Sequence, residues 1–149
     1  MESMRSLLAI TWLGVLALVW AGSAQANEVE FDRYVVHYSV ISTSFLSPEV
    51  ARAYDLHRSR NRALVNVVIM KRDADSRQSV SGTVTGHTVN LNRQVRHLRF
   101  REVRDGDAYY HLAEVPIRPG EVLDFKLRVS VEGEAEAMPL SFRQVFYGY

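Results

Sequence analysis

Through much of the stretch from Val95 to Val131, apolar and polar residues alternate with period two. The alternation breaks where turn residues gather, at Arg104, Asp105 and Gly106 and again at Pro119 and Gly120. Successive strand side chains point to opposite faces, so this pattern describes consecutive antiparallel strands with one face buried and one wet. Such strands need a second layer over their apolar face. The fold class that follows is all-β, an antiparallel β-sandwich of about seven strands.

The segments before this meander supply the second layer. Tyr34, Val36, Tyr38 and Val40 alternate with polar residues as a strand, although Val35 and Ile41 interrupt its wet face. Ser47, Pro48 and Glu49 read as an N-cap, a proline at the first helical position and an acid in the first turn. One short helix of about two turns is therefore predicted after the first strand, and it must dock on the sheet because it is marginal alone. A basic loop with Arg58, Arg60 and Arg62 follows.

Ala63 to Met70 is the most apolar segment after the leader and reads as a central strand buried on both faces, in which a buried Asn66 would need hydrogen-bond partners. Asp73 to Ser79 is a polar turn, and Val80 to Leu91 a strand with a bulge or bend at Gly86. Glu132 to Glu136 is an acidic loop before a last strand from Pro139 to Tyr147, with Phe142 and Phe146 in the core and tyrosines at the rim. The segment from Phe142 to Tyr149 also has the composition of an edge strand able to accept a partner strand.

The first 26 residues read as a leader rather than as fold. Arg5 gives a short basic start, and Leu7 to Ala21 is an uncharged apolar run too short for a comfortable span. Ala24 and Ala26 stand where signal peptidase reads small residues. Cleavage there predicts an exported, periplasmic domain over residues 27–149 with no membrane span. A domain of that size buries roughly two-thirds of the surface its unfolded chain exposes. The chain has no cysteine, which excludes disulfides, thiolate catalysis and thiolate metal ligation together. Its net charge of +1 gives no overall drive toward nucleic acid.

A three-residue loop at Arg104 to Gly106 pairs Phe100 with Tyr110 and Leu98 with Leu112, placing apolar partners on one face. The wet face of that hairpin then carries His97, Arg99, Arg101, Tyr109 and His111. With the Arg58, Arg60 and Arg62 loop, this is a candidate binding face for a phosphate, lipid headgroup or acidic glycan. The alternative is a solvated sheet face whose arginines cover apolar surface and discourage edge pairing.

His97 and His111 on one face make two metal ligands where a closed site needs three or four, so no metal site is predicted. The sequence holds no Gly-x-Ser-x-Gly elbow, His-Glu-x-x-His pair, P-loop or dinucleotide fingerprint, and the expectation is a non-enzyme without cofactor.

Ser47 to Ala51, Asn61 to Val67, Leu98 to Phe100 with Tyr109 and Tyr110, and the closing Phe142 to Tyr147 resemble a family of small exported proteobacterial proteins catalogued as a domain of unknown function. The resemblance runs over essentially the whole chain after the leader. It implies an exported, immunoglobulin-like sandwich and brings no catalytic or binding residues with it. Two functions follow as expectations, with a hydrolase as a distant third. One is a non-catalytic periplasmic interaction or accessory module with an envelope protein as partner. The other is a carrier of a small anionic or lipidic ligand beside the helix and the basic loop.

Overall fold

The strands pack as two antiparallel sheets face to face. The computed structural model describes residues 27–73 and 77–148, so the predicted leader lies outside the described residues. Ten strands are present among them: β1 (Asn27–Glu30), β2 (Tyr34–Ser42), β3 (Arg62–Arg72), β4 (Arg77–Ser79), β5 (Thr83–Asn90), β6 (Val95–Leu98), β7 (Arg101–Asp105), β8 (Ala108–Pro116), β9 (Val122–Ser130) and β10 (Met138–Val145). One sheet has the order β1-β2-β3-β8-β7, with β4 paired to the far end of β3; the other has the order β10-β9-β5-β6. No helix among the described residues is long and apolar enough to cross a membrane.

The core lies between the sheets. Val36, Val65, Val67, Ile69 and Val115 from one side meet Leu123, Phe125, Leu127, Val129 and Leu140 from the other. Strand β3 carries Ala63, Val65, Val67 and Ile69 inward and buries Leu64 and Val68 on its other face, as a central strand should. Half-buried Asn66 has no hydrogen-bond partner for its buried Oδ1, so the anticipated satisfaction is missing, at a cost of about 1–3 kcal/mol.

Between β2 and β3 the chain makes a 3-10 turn, Thr43–Phe45, and one helix, α1 (Pro48–Ala53). The side chain of Ser47 caps the helix, its Oγ accepting from the Val50 N–H at 3.2 Å, with Pro48 at the first turn. Six residues of helix have no independent stability. Leu46, Val50, Ala51 and Leu56 therefore dock on Leu64 and Leu112, forming a second apolar cluster on the outer face of the six-stranded sheet. Replacing Ser47 by alanine is expected to lower the unfolding free energy by about 1 kcal/mol. A urea midpoint unchanged from the parent would count against the cap.

Two expectations are corrected here. The segment around Gly86 contains no bulge: β5 pairs with β9 without interruption from Thr83↔Ser130 to Asn90↔Leu123. Glycine stands there because a Cβ would sit 2.3 Å from the Lys126 carbonyl oxygen. The expected hairpin register is also replaced. Arg101 lies opposite Leu112 and Val103 opposite Tyr110, whereas Leu98 lies opposite Gly86 in the other sheet. The expected single strand is two, β6 and β7, because the chain crosses between sheets at Arg99 and Phe100. The count of about seven rises to ten through this split and the short strands β1 and β4. The β7–β8 turn has two loop residues, and Gly106 supplies the positive φ of 59° at the first of them.

Candidate functional site

The two long sides of the sandwich differ. On one side the chain passes from β6 directly into β7, so a continuous stretch of backbone joins the two sheets. On the opposite side β10 faces β2, and nothing among the described strands pairs with its second edge.

The strand is anchored at both ends, while its second edge stays open. Ahead of β10, Glu134 accepts from Arg33 Nη2 at 2.9 Å and from the Tyr34 hydroxyl at 3.0 Å, tying the acidic loop to the start of β2. Burial, and then the hydrogen bond to Glu134, raise the Tyr34 phenol above its ordinary pKa, so it stays a donor. Beyond β10, the Phe146 N–H donates to the Glu121 carbonyl at 2.8 Å. Glu121 itself is gripped by Arg96 at 2.6 Å and by the Arg118 N–H at 3.0 Å. Burial pushes its carboxyl up, but these bonds outweigh burial and hold it below the ordinary carboxylate value.

Between the anchors, Phe142 stacks on Phe125 at 4.7 Å inside and on Tyr38 at 4.3 Å toward the mouth. Phe146 is buried and Tyr147 is 73% exposed, as expected, whereas Phe142 is half-buried against the core and Tyr149 lies outside the described residues.

The eight residues of the predicted basic face do not share a face. His97 lies on β6 in the four-stranded sheet, and exposed Arg99 lies in the crossover. Arg101 begins β7 in the other sheet, where its guanidinium donates to the Tyr54 carbonyl. Half-buried Tyr109 sits under the Arg104 guanidinium, 5.4 Å from its ring centre. Arg58 donates to the Ser44 carbonyl at 3.5 Å, Arg60 is exposed, and Arg62 faces Glu114 at 3.8 Å. The loop that carries Arg58 and Arg60 is pinned by buried Thr43, whose hydroxyl exchanges hydrogen bonds with the Ser59 backbone.

His111 turns inward and is 1% exposed. Both faces of β8 are apolar because α1 covers the outer one, so periodicity gives two phases without saying which faces the core. His111 stands where β4 and β8 diverge from β3. Its Nδ1 lies 3.2 Å from the Val67 carbonyl; its Nε2 lies 3.1 Å from the Gly82 carbonyl and 3.0 Å from Glu102 Oε2. All three are acceptors, and a ring nitrogen donates to them where it carries hydrogen. Glu102 Oε2 also accepts from Ser81 Oγ at 2.7 Å and from the Gly82 N–H at 3.1 Å. This hub fastens β3, β7, β8 and the segment entering β5, and sequence reasoning missed it. The available signal was the three-residue step from Phe100 to Val103, which breaks the period and turns Glu102 toward β8.

A cleft of about 270 Å³ lies elsewhere, against β1 and β3, lined by Glu28, Glu30, Val35, Met70, Lys71, Arg72 and Asp73. Its acids outnumber its bases, and Arg72 is paired with Glu30 at 2.8 Å, so it lacks the converging arginines an anionic ligand requires. No group of three or more metal-ligating side chains occurs among the described residues.

Comparison with known proteins gives the chain its family. No curated protein matches it. A crystal structure of a DUF4426 family protein from Pseudomonas aeruginosa PAO1 is 36% identical, with a TM-score of 0.72 over 82% of this chain and 94% of that one. Two structures of FetP from uropathogenic Escherichia coli strain F11, each 9% identical with a TM-score of 0.60, share the fold. One is the as-isolated protein expressed recombinantly in the periplasm, covering 83% of this chain and 95% of its own; the other is a copper-bound variant, covering 85% and 97%. The profile described as "Domain of unknown function (DUF4426)" matches residues 28–148, and the chain therefore belongs to that family.

Proposed function

We propose that this protein is an exported, non-catalytic interaction module that accepts an extended segment of an envelope protein along the open edge of β10. The unpaired second edge of that anchored strand, set over an aromatic mouth, is the observation that carries the reading. An open edge offers a row of backbone donors and acceptors to an incoming strand, while pockets between alternate side chains select its sequence. Pro139 removes one donor near the start of β10, leaving Leu140 to Val145 as the accepting stretch. The leader-like first 26 residues and the periplasmic expression of one structural neighbour support the compartment.

A photo-crosslinker placed at exposed Ser141 or Arg143 is expected to trap one defined envelope protein in intact cells. The same probe at Thr85 or Arg128, on the same outer face but away from the edge, is expected to trap several-fold less. Ser141→Pro, which removes an outward-facing backbone donor from the accepting stretch, is expected to abolish the adduct formed by the probe at Arg143. Equal trapping at both pairs of positions, or none at Ser141 and Arg143, overturns the reading.

A further inference from the structure

The outer face of the four-stranded sheet carries two imidazoles on neighbouring strands. His87 on β5 and His97 on β6 are direct register partners, so their side chains leave the same face of adjacent strands. Their ring centres are 6.1 Å apart, with the planes inclined at 60°. Neither ring makes a hydrogen bond or ion pair among the described residues, whereas His37 lies 3.5 Å from Glu28 and His111 is fully engaged. His97 is exposed and His87 half-buried, so an ion reaches the pair directly from solvent.

The geometry points to a divalent transition-metal site made by the imidazoles of His87 and His97. Metal–nitrogen bonds of about 2.0–2.1 Å on each side put the centres of two rings sharing an ion at most ~6 Å apart, so the pair closes on an ion with side-chain rotation alone. Imidazole is the ligand that zinc, copper and nickel share, and copper(II) leads the divalent series in affinity. Two protein ligands leave the other positions to water or to an exogenous ligand, which makes this an exchangeable site and not a structural one. Asp124, on β9 two residues from the partner of His87, is held by Nε and Nη2 of Arg143, at 2.6 and 2.9 Å. Lys126, the partner of His87 on its other side, adds a positive charge that limits the affinity.

The probe is copper(II) titrated into the protein purified from cells, read by electron paramagnetic resonance and by calorimetry. One equivalent with hyperfine coupling to two nitrogens is expected. His87→Gln and His97→Gln should each weaken binding at least tenfold, while His57→Gln leaves it unchanged; far-ultraviolet circular dichroism should be the same for all four proteins. Binding that survives both His87→Gln and His97→Gln, or that is lost in His57→Gln, places the ion elsewhere and overturns the assignment. So does the absence of a saturable first equivalent. The crosslinking result along β10 is independent of this outcome.

Discussion

Replacing His111 by leucine is expected to lower the unfolding free energy by about 2–3 kcal/mol, read as a fall in the urea midpoint at pH 7 with little change in slope. Leucine restores volume but donates nothing. The Val67 and Gly82 carbonyls and the Glu102 carboxylate lose the imidazole as hydrogen-bond partner, and the two carbonyls lose it on the buried side of the strand. Ser81 and the Gly82 N–H still serve Glu102, whose side chain is 33% exposed, and this keeps the loss below that of a fully buried charge.

The same variant makes a prediction in acid. Burial raises the Glu102 carboxyl, but the hydrogen bonds from Ser81, Gly82 and His111 outweigh it and hold the group below its ordinary value of 4.5. A carboxyl depressed by folding contributes stability that is present above the unfolded value and is lost as pH falls through the folded one. Below about pH 4.5 the parent protein therefore loses this contribution, and His111→Leu has less of it to lose. The two urea midpoints should draw together toward pH 3. A parallel pair of midpoint curves down to that pH would show that His111 does not act through Glu102.

Gly86→Ala is expected to have the largest effect of any single methyl added to this chain. Its Cβ would lie 2.3 Å from the Lys126 carbonyl oxygen and 2.9 Å from the Leu127 Cα, both backbone atoms of β9. Relief requires β5 and β9 to part in the middle of the four-stranded sheet, where Leu98 flanks the glycine on its other side. A loss of about 4 kcal/mol or more is expected, a large share of the 5–15 kcal/mol typical of a whole domain. It should appear as poor soluble yield or a melting temperature lowered by more than 10 °C, taking roughly 4 °C per kcal/mol for a domain of this size. Gly106→Ala is the control. Nothing lies within 4 Å of its added Cβ, and only the positive φ of 59° opposes it, at about 1–2 kcal/mol. If the two variants melt together, close approach of β9 is not what Gly86 serves.

The local code of this chain was legible from residues alone. The alternation in β9, with Leu123, Phe125, Leu127 and Val129 inward, determines its buried face because its other face is polar. Ser47 and Pro48 start the one helix where capping chemistry says they should. The doubly apolar run of β3 marks a central strand before any coordinates exist.

Only tertiary structure decided the rest. Leu98 and Phe100 keep the inward period while the chain leaves one sheet for the other, so nothing local announces the crossover. The step from Phe100 to Val103 comes too late to say where the chain has gone. In β8 both phases are apolar, and the docking of α1 on Leu112 is what turns His111 into the core. His97 finds His87 instead of His111 for the same reason: period two fixes which residues share a side of one strand, whereas the identity of the neighbouring strand is set by how the whole chain closes.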